Sequence, residues 1–170
     1  MSIRDKILEV AEYWVRPGDY RPTADELMFF FTNSGAEAAP SMAEAQDALK
    51  NLSNGVRVQG QIKQWCGVFA CSVLKEAGVD VRWTLNGGKM VGDGVTLLPG
   101  SNNIVPGDAA IINHASHHFI VSDIDYDTNT LESVDGNTTN QYIRSGRKKI
   151  QESGTDACTR SVVAFYRVKA

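Results

Sequence analysis

The chain contains no apolar run approaching the roughly 18 residues of a membrane-spanning helix, so no membrane span is expected. It has no strong charge of either sign: 17 Lys and Arg against 20 Asp and Glu leave −3. That balance gives no electrostatic case for nucleic acid or an anionic surface. Aromatic residues, 8% of the chain, are scattered and not interleaved with basic clusters, which argues against a stacking platform for bases. The opening Met1-Ser2-Ile3-Arg4-Asp5-Lys6 lacks the apolar stretch of a signal peptide. The expectation is a protein made in the cytoplasm, or one leaving the cell by a route that needs no such signal. Internal repeats and low-complexity linkers are also missing. With 170 residues and 42% hydrophobic content, one domain spanning 1–170 is expected.

Cysteine is scarce. Cys66, Cys71 and Cys158 form an odd set without metal-ligand spacing, and Cys66 and Cys71, five apart on one helix, suit neither a mutual disulfide nor a CxxC site. A Cys71–Cys158 bridge is open to a protein that matures outside the cytosol. The plainer reading makes both small buried hydrophobes. Histidine is scarcer in its distribution than in its number: all three, His114, His117 and His118, fall in one short stretch.

What is present divides the chain in two. Ser2 with Asp5 resembles a capping box, and Ile3, Ile7, Val10, Ala11 and Trp14 then recur at helical spacing until Pro17-Gly18. A second helix is expected over Ala24 to Phe31. A third starts at Ser41, with Glu44 three residues on, and ends at Asn54-Gly55, so residues 1–60 read as helical. Asn86-Gly87-Gly88 and Gly92-Asp93-Gly94 mark irregular surface structure. Beyond Ile104, four short apolar runs bounded by turn signals read as strands of an antiparallel sheet: Asp108 to Ile112, Phe119 to Ile124, Thr130 to Val134 and Ser161 to Val168. Asp127-Thr128-Asn129 is the expected hairpin turn. Arg144 to Lys149 reads as a basic surface loop of solvated charge. Helices first and sheet second make the fold class α+β.

Between the halves lies Gln64-Trp65-Cys66-Gly67-Val68-Phe69, continuing to Leu74-Lys75-Glu76-Ala77-Gly78. The stretch reads as a loop that delivers a cysteine to the first turn of a buried helix, closed by Gly78. Unpaired backbone N–H groups and the positive end of the helix dipole favour thiolate there. A cysteine nucleophile needs a general base, and the base an orienting acceptor. His117 and His118 open one strand, and the next ends in Val134-Asp135-Gly136-Asn137-Thr138. Asp135 or Asn137 is therefore expected beside the histidine pair. Gln61 and Gln64 precede the nucleophile, where an amide can help bind an oxyanion; the backbone N–H of Cys66 is the expected donor, and plain loop polarity the expected role of the glutamines. Trp65 reads as packing, and His114 and the unused histidine of the pair as loop, surface or supporting residues.

These motifs resemble the CHAP and NlpC/P60 group of papain-like cysteine peptidases and amidases that cut peptidoglycan. Trp65-Cys66-Gly67-Val68-Phe69 resembles the nucleophile helix, Pro106-Gly107-Asp108 with Ala109 to Ile112 the element before the histidine, His117-His118-Phe119-Ile120-Val121 the histidine strand, and Asp135-Gly136-Asn137-Thr138 the end of the next strand. The resemblance runs from about Gln61 to Asn137, in family order. It implies a papain-like fold with N-terminal helices packed on an antiparallel sheet, Cys66 as nucleophile, His117 or His118 as base, and Asp135 as its orienter with Asn137 supporting or replacing it. Alignment of Ile120-Val121 favours His117; the smaller Ile120, two places on, favours His118. The family's small residue at that place is bulky here on either alignment, and aspartate stands for the usual glutamate. No metal or cofactor is implied.

The implied activity is hydrolysis of an amide bond in or at the root of the peptidoglycan stem peptide. Its settings are a phage-type lysin, or an interbacterial effector acting in a rival's periplasm and matched by an immunity protein. A papain-like deamidase or hydrolase acting on a protein or another amide or thioester is the alternative. A catalytically degenerate binding module is the alternative from another class.

Overall fold

The computed structural model describes residues 1–52, 55–112, 117–151 and 161–169. His114, Cys158 and Asn54 lie outside them, and with them the loop reading of His114, one partner of the Cys71–Cys158 bridge and the expected stop of the third helix. The described chain is α+β. Helices α1 (Ile3–Trp14), α2 (Ala24–Asn33) and α3 (Met42–Asn51) come first, each opened by a complete capping box: Ser2 with Asp5, Thr23 with Glu26, Ser41 with Glu44. Such caps satisfy helix-start N–H groups that otherwise lack partners, at about 1 kcal/mol each.

The stretch after α3 corrects the helical reading of residues 1–60. Val56–Val58 (β1) and Gln61–Lys63 (β2) form a hairpin, turned at Gln59 and Gly60, both at positive φ. Two positive φ values in a two-residue turn match the right-handed twist of the flanking strands. Helix α4 (Cys66–Glu76) follows and closes at Gly78, whose φ of 98° favours glycine. The glycine-rich region read as irregular carries order of its own: β3 (Arg82–Thr84) pairs with β4 (Lys89–Val91), and β5 (Val95–Pro99) joins the main sheet.

The main sheet adds β6 (Ala109–Ile112), β7 (His117–Asp125), β8 (Thr130–Asp135), β9 (Arg144–Lys149) and β10 (Val162–Val168). Its order is β5-β10-β6-β7-β8-β9, every pair antiparallel. The stretch Arg144 to Lys149 is thus an edge strand, not a loop, and Lys148 within it is buried.

Side-chain alternation gives this sheet two apolar faces. Ala109, Ile120, Val134, Tyr166 and Val168 share one cluster with Ile7, Phe30, Phe31, Phe69 and Leu74 of the helices. Ala110, Phe119, Val121, Leu131 and Phe165 build a second cluster with Ile104 and Ile150. Helix α4 packs on the first face with α1 beside it, and α2 braces α4 from behind with α3 against it. Arg4 of α1 reaches Asp108 Oδ1 and the carbonyls of Pro106 and Val168, all at 2.9 Å. Asp108, fully buried, also accepts from Arg167 Nε at 3.0 Å, so the Pro-Gly-Asp element joins α1 to β6 and β10. Among the described residues, no helix is long and apolar enough to cross a membrane.

Candidate active site

Cys66 is the first residue of α4, and its N-cap, Trp65, supplies no side-chain hydrogen bond. The first-turn N–H groups therefore keep their donor capacity near the thiol. Trp65 is fully buried: its ring stacks on Phe30 of α2 at 6.0 Å, and its Nε1 donates to Gln141 Oε1 at 3.0 Å. Gln141 in turn donates to the carbonyl of Ala48 in α3 at 2.5 Å. The helical first part thereby fixes the residue that precedes the cysteine. Gly67 leaves room for Trp83, whose ring atoms would lie 2.0 Å from an added Cβ. Gly136 does the same for Phe69 of α4, at 2.6 Å.

His117 and His118, adjacent on β7, lie on opposite faces. His117 stacks with Phe119, ring centroids 6.3 Å apart, on the face of the second cluster. His118 lies edge-on to Trp83 at 5.0 Å and beside Tyr166 at 6.1 Å, on the helix side. At 4% exposure it is buried, which corrects its reading as a surface residue should it prove the unused one.

The structure brings Cys66, His117 and Asp135 together. His117 Nε2 lies 2.6 Å from Asp135 Oδ1. An imidazole has two ring nitrogens, so Nδ1 is the one that Asp135 leaves unengaged. Burial is the largest influence on that thiol and pushes it up, but the hydrogen bond with His117, the neighbouring His118 and the charge on His117 overcome burial and bring it down to about 6. Burial lowers His117, while Asp135 and then Cys66 raise it, to about 9. Asp135 is raised by burial and lowered more strongly by His117 and Lys148, to about 2. Between these values the favoured state of the site is thiolate, imidazolium and carboxylate in a row. His118 also faces the thiol, yet neither of its ring nitrogens has a hydrogen-bond partner among the described residues.

Members of this row line two separate cavities. One, of about 250 Å³, is lined by Cys66, His118, Trp83, Gln64 and the Gly87-Gly88 turn. The other, of about 410 Å³, is lined by His117, Asp135, Asn137 and Arg144. Asn137 stands at a positive φ of 54°, and the Asp135 carboxylate, not the Asn137 amide, holds the His117 ring. Gln64 reaches the cavity of the thiol; Gln61 is exposed on β2. Cys71 lies deep in α4 with a free thiol 3.7 Å from the carbonyl of Ser34.

Sequence reasoning missed Lys148 and Ser133, which hold Asp135 from behind: Lys148 Nζ lies 2.7 and 2.9 Å from its two oxygens and 2.6 Å from Ser133 Oγ, and Ser133 Oγ donates to Asp135 Oδ2. Their sequence signal is weak, since Lys148 sits in a basic run with no apolar residue in it. Trp83 was likewise unflagged. Compared with family models, curated proteins and solved structures, the chain matches none.

Proposed function

We propose that this chain is a cysteine hydrolase of papain-like type that cuts an amide bond in bacterial peptidoglycan. The observation that carries the hydrolase reading is the His117 imidazole, which lies 2.6 Å from Asp135 Oδ1 and opposes burial at the Cys66 thiol, drawing it down to about 6. A nucleophile helix against an antiparallel sheet, with the base on one strand and its acid on the next, supports the papain-like likeness. Peptidoglycan as substrate comes from the resemblance of the four motifs.

In this reading the Cys66 thiolate attacks the substrate carbonyl carbon. The first-turn N–H groups of α4, that of Cys66 among them, hold the oxyanion as it forms. His117, protonated, donates its proton to the leaving amine as the C–N bond breaks, leaving a thioester on Cys66. Neutral His117 then takes a proton from water, whose oxygen attacks the thioester and releases the acid and the thiolate. Asp135 keeps the ring oriented and favours its cationic form throughout.

The setting proposed is that of a lysin, or of an effector delivered to a rival's periplasm with an inhibitor protein in the producer. Incubation with purified sacculi tests the activity by release of new amino groups. Wild-type protein is expected to release them and Cys66→Ala is not. Equal release by both removes Cys66 as nucleophile. Release from protein amides but not from sacculi moves the substrate to the deamidase class. The depressed thiol and the assembled row favour an enzyme over a degenerate binding module.

A further inference from the structure

Asp135 is held from two sides, and only one of them is His117. Lys148 rises from edge strand β9 with a side chain only 5% exposed. Its ammonium contacts both oxygens of Asp135 and Ser133 Oγ, and stands 4.4 Å from the centroid of the Phe119 ring. Asp135 Oδ1 is shared between His117 Nε2 and Lys148 Nζ; Oδ2 is shared between Lys148 and Ser133. Gly146, on the same strand, makes room for this arrangement: an added Cβ would stand 3.0 Å from Asp135 Oδ2 and 3.1 Å from both Lys148 Nζ and Ser133 Oγ.

A buried lysine is costly, and a buried ion pair is often no more stabilising than an apolar pair of the same volume. Stability alone therefore gives a weak reason for this one. The charge pattern gives a better one. In the activated site Cys66 is negative, His117 positive and Asp135 negative, so the three carry one net negative charge out of water. Lys148 completes an alternating row of four charges whose sum is zero. It also opposes protonation of Asp135 and limits rotation of its carboxylate.

We propose that Lys148, with Ser133, is a positioning residue of the site, fixing Asp135 as an oriented anion behind His117 and neutralising the buried thiolate–imidazolium–carboxylate row. The proposal rests on the reading of Cys66, His117 and Asp135 as the reaction centre. Among the described residues, the charged and titratable groups around His117 and Asp135 are Cys66 from α4, His118 beside it on β7, and Lys148 and Arg144 from β9. Arg144 lies across the register from Asp135 and reaches Asp19 at 3.9 Å. Glu132, on the opposite face of β8, is occupied by Arg147 at 3.0 Å. Among the described residues, Lys148 is the cation in contact with Asp135 besides His117, and a like charge so near makes the imidazolium less favourable.

The test is the pH dependence of Cys66 alkylation by iodoacetamide in the full chain, which needs no substrate. In wild-type protein the rate is expected to rise near pH 6, as the thiolate forms, and again near pH 9, as His117 loses its proton. In Lys148→Met the upper step is expected to move up by about one pH unit, because the imidazolium loses a like-charged neighbour. A folded Lys148→Met protein with both steps within about 0.2 pH units of wild type leaves Lys148 a structural residue and overturns the proposal. Where Lys148→Met does not fold, Ser133→Ala carries the test, since it removes one donor from the same carboxylate and no charge. Its upper step is expected to move up by about 0.3 to 0.5 pH units, and an unmoved step overturns the proposal. A wild-type protein without a step near pH 6 overturns instead the reading of Cys66 and His117 as a pair.

Discussion

Cys66 and Cys71 belong to one helix, five residues apart, and neither is more than 3% exposed. Burial drives both thiols upward. At Cys71 only the charge of Lys75 opposes it, weakly, and the thiol is pushed up to about 12. At Cys66 two imidazoles on β7 oppose it, and the thiol comes down to about 6. Burial alone makes a thiol inert; a buried thiol becomes a nucleophile when the fold supplies a cation against it. Helix position contributes as well, because Cys66 has first-turn N–H groups beside it while Cys71 lies in the helix interior.

The sharpest way to break the comparison is to remove the partner. His117→Ala leaves Cys66 buried with neither an Asp135-linked base nor the charge that lowers it, so the two thiols should converge. Activity on sacculi, measured as kcat/KM, is expected to fall about 10² to 10⁴-fold, the range of a lost general acid–base. His118→Ala leaves His117 and its acid in place and is expected to cost about tenfold or less. A larger loss in His118→Ala than in His117→Ala would transfer the base to His118.

Next in size is the ratio of alkylation rates of Cys66 and Cys71 in wild-type protein at pH 7. Thiol values near 6 and near 12 put the thiolate fractions apart by about five powers of ten. The lower basicity of the Cys66 thiolate gives back about two and a half of these, because nucleophilicity falls with thiol pKa. The expected ratio is therefore about 10² or more, with the complete burial of Cys71 adding to it. Peptide mapping after timed iodoacetamide treatment reads the ratio directly, and equal rates at the two sites would contradict the asymmetry.

Much of this site was legible in the chain because its parts rest on local signals. The capping residues Ser2 and Ser41, the apolar run of α4 and the turn at Asp127-Thr128-Asn129 each act over a few residues, and the observed elements follow them closely. The parts that were not legible depend on distant partners. Arg144-Ser145-Gly146-Arg147-Lys148-Lys149 has no apolar periodicity, and it becomes a strand by pairing with the free edge of β8. Lys148 is buried where Asp135, Ser133 and the Phe119 ring meet its ammonium. The histidine choice was hidden for a related reason. Alternation dictates that His117 and His118 face opposite sides of β7, but which one meets both thiol and acid depends on where α4 and β8 lie against the strand. Short strands β3 and β4 were lost among glycines for want of an apolar run.

The smallest effect expected separates activity from stability. Cys66 is lowered from 9.0 to about 6, so its stabilising contribution is present above 9.0 and is lost as pH falls through 6. His117 is raised from 6.5 to about 9, so its contribution is present below 6.5 and is lost as pH rises through 9. The two slopes have opposite signs over the same interval. From pH 6.5 to 9 the folded pair holds one proton, on the imidazolium, and the unfolded pair holds one proton, on the thiol. Equal proton counts mean no net slope, and the unmatched stretch from 6 to 6.5 leaves about 0.7 kcal/mol at most. Activity, which needs thiolate and imidazolium together, should instead follow a bell with limbs near 6 and 9. Urea unfolding at pH 6.5, 7.5 and 8.5 checks this, with Cys66→Ala as the comparison. In that variant His117 keeps Asp135 but loses the compensating thiol, so stability should fall as pH rises while the wild type stays level. Parallel slopes in the two proteins would mean that Cys66 and His117 do not share a proton, and would return Cys66 to the company of Cys71.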